Sequence, residues 1–291
     1  MSPRQLLPPW LRTASRFAPG VRRTKTTLRS LALHTVCEEA RCPNVAECFS
    51  RNTATFMILG DVCTRNCAFC GCQKGKPAAV DPAEPANVAR AARKLNLTHC
   101  VVTSVTRDDL DDGGASQFVR TIQAMREAHP CTTLEVLTPD FRGDIAPAKT
   151  VFAARPDVFN HNVETVPRLY SSVRPGADYE RSLRLLALSK ETEPGAVTKS
   201  GLMIGLSETL AEVEDVLRDL ASIGVDAVTI GQYMQPSRNN APVSRYYEPA
   251  IFKDLVERGR ALGIKHVLAG PLVRSSYNAK ELFDTIHSSH S

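Results

Sequence analysis

Three cysteines with short gaps constrain the fold of this chain more than any other feature. Cys63, Cys67 and Cys70 are separated by three and by two residues. Thiols at this spacing can hold three irons of a cubane cluster and leave the fourth iron open, whereas a closed structural zinc or iron site takes four protein ligands. The segment therefore has to form a loop whose thiols converge. The spacing favours an open 4Fe-4S cluster over a zinc knuckle or unrelated thiols.

A second triplet lies upstream, at Cys37, Cys42 and Cys48, with gaps of four and five residues. Because its spacing differs, it predicts a separate site. Six of the nine cysteines thus fall within residues 37–70, which favours metal clusters over chance placement. Disulfides fit poorly, since clustered cysteines of intracellular enzymes are more often metal-binding or catalytic.

The remaining three cysteines lie outside both triplets. Cys100 and Cys131 are interpreted as small buried hydrophobic residues. Cys72 stays open between that role and a part in the neighbouring cluster loop.

Short β-branched runs alternate along the chain with stretches that carry apolar residues three and four positions apart, as Leu210, Val213 and Val216 do. The runs predict strands at residues 53–59, 100–105, 134–137, 158–160, 199–204, 227–230 and 266–268. The stretches predict helices at residues 88–95, 115–128, 179–189, 208–223 and 249–262. Repeated strand-helix units predict an α/β fold, a partial parallel (β/α)6 TIM-type barrel whose site lies at the carboxyl ends of the strands.

Composition limits the function classes. The chain has 291 residues and 43% hydrophobic content, enough for one core, and no apolar stretch near the roughly 18 residues of a membrane span. The net charge of +5 is a mild excess of 36 basic over 31 acidic residues. Aromatic residues make up only 6%. A nucleic-acid-binding protein would need aromatic platforms and clustered positive charge, so this class is disfavoured.

The chain resembles a known family along nearly its whole length. Phe69 places an aromatic residue before the last cysteine, and the octapeptide Cys63–Cys70 resembles the cluster motif of radical S-adenosylmethionine enzymes. The wider pattern closely resembles the lipoyl synthases. It is carried by the segments His34–Cys48, Thr103–Leu110, Pro139–Gly143, His161–Pro167 and Gly270–Tyr277. The sequence departs from the family where Ser207 replaces a usual glycine and Asp111 a usual proline.

The resemblance implies two 4Fe-4S clusters. The Cys63, Cys67 and Cys70 cluster would bind S-adenosylmethionine. The upstream triplet would hold an auxiliary cluster, and the N-terminal and C-terminal extensions of the barrel would carry it. Its fourth ligand would be a serine of the segment Arg274–Tyr277, either Ser275 or Ser276, of which Ser276 is favoured. Arg274 and Ser276 are thus expected to be catalytic.

Several polar groups at the predicted strand ends are candidate contacts to S-adenosylmethionine. Asn162 and Glu164 could bind ribose hydroxyls or the methionyl amine, and Lys199 its carboxylate; Phe69 stands beside the cluster. Gly205 and Glu208 lie where a strand turns into a helix, so a backbone amide could approach a charged ligand there. Structural roles remain open, because Glu208 also suits a helix N-terminus and Asn162 a turn.

The implied reaction is insertion of two sulfur atoms, taken from the auxiliary cluster, at C6 and C8 of an octanoyl chain bound to a lysine. The implied partners are an octanoylated lipoyl carrier domain, an electron donor such as ferredoxin or flavodoxin, and an iron-sulfur cluster carrier. Positive residues near the entrance, with Arg41 and Arg174 as candidates, are expected to attract an acidic surface of the lipoyl carrier. We expect a monomer without nucleic acid or membrane. Because Pro8–Leu11 already resembles the start of the family domain, the basic N-terminal arm is expected to be part of a cytoplasmic enzyme.

The expected organisation is an N-terminal extension over residues 1–52, a barrel over 53–269 and a C-terminal segment over 270–291. Three alternatives remain at this point. They are another radical sulfur transferase of the biotin synthase or methylthiotransferase kind, a zinc-stabilised nucleic-acid-binding protein, and an iron-sulfur carrier without catalysis.

Overall fold

The computed structural model describes residues 7–12, 19–40, 42–50 and 54–288. Its eleven described helices are α1 Pro19–Ser30, α2 Val36–Glu39, α3 Val45–Ser50, α4 Glu84–Leu95, α5 Ala115–Ala128, α6 Ile145–Ala153, α7 Tyr170–Val173, α8 Tyr179–Thr192, α9 Leu210–Ser222, α10 Pro249–Ala261 and α11 Ala279–Ser288. The strands of the same ranges are β1 His34–Thr35, β2 Thr55–Ile58, β3 Val62–Cys63, β4 Gln73–Lys74, β5 His99–Ser104, β6 Thr133–Leu137, β7 Val158–Asn160, β8 Val197–Ile204, β9 Ala227–Gln232 and β10 His266–Gly270. None of these helices is long and apolar enough to cross a membrane.

The main sheet has eight strands in the order β1-β2-β5-β6-β7-β8-β9-β10. All neighbours are parallel except β1, which pairs antiparallel with β2. Across the described residues, β1 and β10 are the two edges, so the sheet is open. Six helices each follow one parallel strand and precede the next, namely α4, α5, α6, α8, α9 and α10. These six strand-helix units confirm the partial (β/α)6 barrel, and β10 adds a seventh parallel strand.

Most predicted elements are confirmed within a few residues, but the longer helices α1, α11 and α6 were missed. Of these three, α6 belongs to a strand-helix unit of the barrel. Its sequence contains Pro147 in the first turn, where a missing backbone N–H costs nothing because that N–H has no helical partner. Its buried residues recur at helical spacing and pack into the core, as Ala148, Val151 and Phe152 show.

Segments on both sides of the barrel complete the structure. Thr35 of β1 pairs with Phe56 of β2, so the upstream cysteines lie against the edge of the barrel. At the other end of the chain, Ile286 of α11 packs on Val158, Val197 and Ala227, the first residues of three neighbouring strands. Helix α11 therefore closes the amino end of the barrel and leaves the carboxyl end open. The domain boundaries at residues 52 and 269 stay a prediction.

Candidate active site

A cavity of about 1050 Å³ lies at the carboxyl end of the barrel. We call it the main cavity. Both cysteine triplets line it, together with the C-terminal segment. The predicted site residues along its wall are Cys37, Cys42, Cys48, Cys63, Cys67, Phe69, Cys70, Asn162, Glu164, Arg274 and Ser276. Residues from both extensions and from five parallel strands of the main sheet therefore meet around one space.

The downstream triplet lies on a closed loop. Strands β3 and β4 pair in parallel at its two ends, with Cys63 opposite Lys74. The Cys63 sulfur accepts backbone N–H groups from Arg65 and Thr106, each at 3.4 Å. N–H donors aimed at a sulfur stabilise negative charge on it, as a cluster ligand requires.

Buried ion pairs fix this loop to the barrel. The guanidinium of Arg65 donates to Asp108 at 2.7 Å and to Asp140 at 2.6 Å, on the loops that follow β5 and β6. Arg65 holds the pKa of Asp140 at about 2, against the opposing effect of burial. On the other side, the N–H of Ala68 donates to the carbonyl of Val173 at 2.8 Å. Motion of the cysteines would therefore break contacts with three neighbouring segments.

Cys72 lies beside the cluster loop. The interaction between the Cys70 and Cys72 thiols lowers the pKa of Cys70 and raises that of Cys72. Cys72 also lines the main cavity. Of the other two cysteines, Cys100 is buried as predicted. Cys131 is exposed, so the prediction that it is buried is wrong.

The upstream triplet is joined to the C-terminal segment by two long-range hydrogen bonds. The amide of Asn44 donates to the carbonyl of Leu272 at 2.6 Å, and the hydroxyl of Tyr277 donates to Glu47 at 3.3 Å. Burial raises the pKa of the Cys37 thiol to about 11, so this thiol needs a nearby cation to ionise. These contacts bring Ser275 and Ser276 to the same cavity wall as the triplet.

Two arginines with no carboxylate partner among the described residues line the main cavity. Arg174 is 9% exposed and donates to Tyr170 at 3.2 Å; its charge opposes the effect of burial on the pKa of Cys67. Burial lowers the pKa of Arg274, and the nearby Cys42 opposes this effect. Each triplet therefore has one guanidinium close to it, of which Arg174 is buried and Arg274 is half-buried. Such a charge is costly unless an anion joins it, and a cluster with thiolate ligands is an anion.

Three buried polar atoms at adjacent strand ends also lack a partner in the described structure. They are the hydroxyls of Ser104 and Thr138 and the amide oxygen of Asn162. All three residues line the main cavity, after or at the ends of β5, β6 and β7. Buried polar atoms are normally hydrogen-bonded, so this row is suited to a polar ligand such as S-adenosylmethionine. The sequence analysis missed Ser104 and Thr138, although both stand at carboxyl ends of predicted strands.

Glu164 faces the same row. It adopts a left-handed backbone conformation, with φ of 67°, and accepts a hydrogen bond from Asn162 at 3.1 Å. Burial raises the pKa of its carboxyl group. Strained, buried polar residues of this kind are held in place by the fold and concentrate at functional sites.

Three predicted cofactor contacts are corrected by the structure. The ammonium of Lys199 is 2% exposed and pairs with both carboxylate oxygens of Glu135, at 3.0 and 3.1 Å, inside the barrel. Glu208 accepts the backbone N–H groups of Gly205 and Leu206. The described lining of the main cavity does not include Lys199, Gly205 or Glu208. Their polar groups are satisfied by the protein, so they are not available to a ligand.

The donor set at each triplet fits an open iron-sulfur cluster. Three cysteines line the main cavity at each site, and three thiolates hold a cubane with one iron left open. A structural zinc site takes four protein ligands.

Comparison with known proteins identifies the family. A model of the radical SAM superfamily matches residues 57–220, and a model of the N-terminal domain of lipoyl synthase matches residues 1–42. A lipoyl synthase of Rubrobacter xylanophilus is 55% identical over 94% of this chain and 85% of that protein. A lipoyl synthase of Nitratidesulfovibrio vulgaris is 54% identical over 98% of this chain and 95% of that protein. The chain belongs to the lipoyl synthase family. It is therefore a radical S-adenosylmethionine enzyme.

Solved structures agree with the lipoyl synthase assignment at the level of the fold. SuiB of Streptococcus suis bound to S-adenosylmethionine has a TM-score of 0.57 at 12% identity, over 78% of this chain and 53% of that one. Methylornithine synthase has a TM-score of 0.54 at 13% identity, over 93% of this chain and 95% of that one. At such low identity these likenesses show the fold alone, and the lipoyl synthase relatives carry the family.

Proposed function

We propose that this enzyme completes lipoyl groups by inserting sulfur at C6 and C8 of an octanoyl chain on a carrier lysine. The carrying observation is that both cysteine triplets and Ser276 line one cavity. A radical made at the first cluster can then reach a carbon that lies next to the sulfur of the second, because both sites face the same space. Neither a zinc-binding protein nor a cluster carrier needs two thiol triplets facing a shared space of this size.

Cys63, Cys67 and Cys70 would hold the first cluster. When bound, that cluster reduces S-adenosylmethionine to supply the 5′-deoxyadenosyl radical that removes hydrogen from the substrate. Arg65 keeps the loop in register with the barrel, because its two carboxylate partners are on different loops. The surrounding cavity excludes water and positions the reactants.

Arg174, Ser104 and Asn162 would bind S-adenosylmethionine. Arg174 provides the buried positive charge that the sequence analysis assigned to Lys199, and a carboxylate would pair with it. The Ser104 hydroxyl would donate or accept a hydrogen bond with the methionyl or ribose groups, and the amide oxygen of Asn162 would accept one.

The auxiliary cluster would be held by Cys37, Cys42 and Cys48. Because its sulfides would leave with the product, this cluster would be a substrate of the reaction. Ser276 would be its fourth ligand. A serine oxygen is a harder ligand than a thiolate and suits iron in a cluster less well, so this bond is the one most easily broken. Arg274 would balance the charge of this site, since its guanidinium lies close to Cys42.

The octanoyl chain would arrive on a carrier domain that stays outside the cavity. The sequence analysis placed Arg41 and Arg174 at the entrance as contacts for an acidic carrier. Arg41 lies outside the described residues, and Arg174 is buried, so Arg174 is not a surface contact. The carrier, the electron donor, the cluster carrier, a cytoplasmic location and a monomeric state belong to this proposal.

The reaction is tested by anaerobic incubation of the doubly loaded enzyme with dithionite, S-adenosylmethionine and an octanoyl-lysine peptide. Mass analysis should show a gain of two sulfur atoms. The triple variant Cys37→Ala/Cys42→Ala/Cys48→Ala is the matched control, and it should lose one cluster, still cleave S-adenosylmethionine and add no sulfur. Sulfur addition by this variant would place the sulfur donor elsewhere.

A further inference from the structure

The loop of the first cluster reaches the protein surface directly after Cys72. Cys72 is half-buried, whereas the next four residues, 73–76, are all exposed. Lys74 pairs with Cys63 across β3 and β4, and the N–H of Gly75 donates to the carbonyl of Cys63 at 3.0 Å. The exposed stretch is therefore fixed by backbone contacts to a predicted ligand of the first cluster.

A second segment, residues 235–241, adds an exposed cation beside this stretch. Pro236 packs so closely on Gly71 that a Cβ atom added to the glycine would lie 3.2 Å from the Cβ atom of the proline. The N–H of Ala241 donates to the carbonyl of Ala68 at 2.9 Å. Arg238 lies between these two contacts along the chain and is exposed.

Lys74, Lys76 and Arg238 together are called the basic patch. None of the three has an ion-pair partner in the described ranges, and no acidic residue of the chain stands outside those ranges. Glu39, which packs on the same loop, directs its carboxylate to His34, at 3.6 Å. The described lining of the main cavity includes none of the three cations. The patch is thus a positive surface on the outer side of the loop that the protein does not neutralise.

We propose that the basic patch is the surface on which an acidic one-electron donor protein docks to reduce the first cluster. This inference rests on the proposed function, because each cleavage of S-adenosylmethionine needs one electron. The donor is oxidised by one electron and the first cluster is reduced by one. That electron breaks a C–S bond of S-adenosylmethionine and leaves methionine and the 5′-deoxyadenosyl radical.

The place of the patch suits this role. S-adenosylmethionine and the octanoyl arm occupy the main cavity during the reaction, so the donor has to approach from the outer side of the loop. There the chain passes from half-buried Cys72 to exposed residues within one position, so little protein separates the thiols from a docked partner. Because electron transfer slows steeply with distance, a thin cover favours it.

The charge of the patch suits the same partner. Electron-transfer complexes are weak and have small interfaces, and complementary charge mainly raises the rate of association. Three cations without ion-pair partners in the described structure attract an acidic surface and let it leave again. A lipoyl carrier is also expected to be acidic, so the test has to separate these two partners.

The test reverses charges in the basic patch. Lys76→Glu/Arg238→Glu leaves Lys74 unchanged, because the backbone of Lys74 pairs with Cys63. Lys149→Glu/Arg184→Glu is the matched control, since it reverses one lysine and one arginine that are exposed on α6 and α8. Each holoenzyme receives electrons from reduced flavodoxin, reduced ferredoxin or dithionite, and cleavage of S-adenosylmethionine is measured with the octanoyl-lysine peptide. Calorimetry with the oxidised donor proteins measures docking without turnover.

The donor protein that drives the wild type faster is the one compared. At limiting donor, cleavage by the patch variant should fall by roughly tenfold, and the Kd of the donor should rise by a similar factor. Dithionite needs no docking surface, so its rate should stay within roughly twofold of the wild type and shows that the first cluster is intact. Added salt should slow the wild type and narrow the difference. The control variant should match the wild type throughout.

Equal donor-driven rates in the wild type and the patch variant would overturn the inference, as would failure of both donor proteins to reduce the wild type. A raised KM for an octanoylated carrier domain, with unchanged dependence on the electron donor, would also overturn it and assign the patch to the carrier. If S-adenosylmethionine is cleaved but no sulfur is inserted, the proposed function fails instead, and docking of the donor is still read from the cleavage rates.

Discussion

The side-chain amide of Asn240 donates to the backbone carbonyl of Cys70 at 2.8 Å, although 170 residues separate them in the chain. The same amide donates to the carbonyl of Ala68 at 3.1 Å, and the neighbouring N–H of Ala241 donates to that carbonyl at 2.9 Å. The segment after β9 therefore holds the loop of the first cluster from outside the cysteine motif.

Asn240→Ala removes both hydrogen bonds to the cluster loop, together with the one that the Asn240 amide oxygen accepts from Ser237, and leaves the cysteines in place. Each is worth about 1 kcal/mol, so we expect S-adenosylmethionine cleavage to fall by roughly tenfold or more. The spectrum of the reduced first cluster should broaden, while the iron content of the auxiliary cluster stays the same. Asn239→Ala is the control, because Asn239 is exposed and adjacent. Equal effects of the two substitutions would exclude a positioning role.

Ser276→Ala separates the two clusters functionally. Three thiolates remain at the auxiliary site, so most of the cluster should still assemble, but sulfur insertion should fall far more than S-adenosylmethionine cleavage. Ser276→Cys should give a tighter and less reactive cluster, because a thiolate suits iron better than a serine oxygen does. Ser275→Ala is the comparison. If Ser276→Ala forms lipoyl groups fully and Ser275→Ala does not, the ligand is Ser275.

His161 makes folding stability sensitive to pH. Burial, and then the charge of Arg174, lowers the pKa of His161 from 6.5 to about 4. The unfolded chain therefore binds a proton below pH 6.5 that the folded chain refuses until about pH 4. As the pH is lowered from 6.5 to about 4, this residue alone should reduce the free energy of unfolding by roughly 3 kcal/mol.

The measurement compares urea unfolding of the wild type and His161→Gln across that pH range under anaerobic conditions. The variant should show a shallower dependence on pH, whatever its stability at pH 7. His34→Gln is the control, since His34 is half-buried beside Glu39. A pH dependence in His161→Gln as steep as in the wild type would contradict the prediction.

Ser207 has a strained backbone. It replaces the glycine usual in this family and adopts φ of 85°, a left-handed conformation that disfavours a side chain. Ser207→Gly should stabilise the protein by roughly 0.5 kcal/mol, after the greater freedom of glycine in the unfolded chain is subtracted. Ser207→Ala keeps the Cβ atom and should give no gain. Thermal unfolding measures both, and equal gains would mean that strain is not the cause.

The local sequence pattern was sufficient for two elements, residues 115–128 and 158–160, which were predicted with the bounds that the structure has. The helix buries one face, whereas the strand is a short run that is buried throughout. Strand β1 has only two residues, and nothing in a sequence that short distinguishes it from loop. It exists because it pairs with β2, which is a tertiary contact.

The cysteine loop was predictable because its ligands are local in sequence, whereas the polar contacts at the strand ends were not. Lys199 seemed suited to a carboxylate, but its partner is Glu135, 64 residues earlier and buried beside it. Arg174 was taken for a surface residue and lies inside the cavity. Whether a polar side chain is free for a ligand depends on which protein groups already satisfy it, and that information is three-dimensional.

The hydrogen bonds from Asn44 to Leu272 and from Tyr277 to Glu47 join positions 228 and 230 residues apart. A growing chain therefore exposes Cys37, Cys42 and Cys48 to the cell long before the segment that completes their site has been translated. These three thiols are synthesised early, but the segment that completes their site is synthesised near the end of translation. Metal delivered to a nascent chain would meet these three cysteines without the C-terminal segment, so a serine ligand can join the auxiliary cluster only after nearly the whole polypeptide has been made.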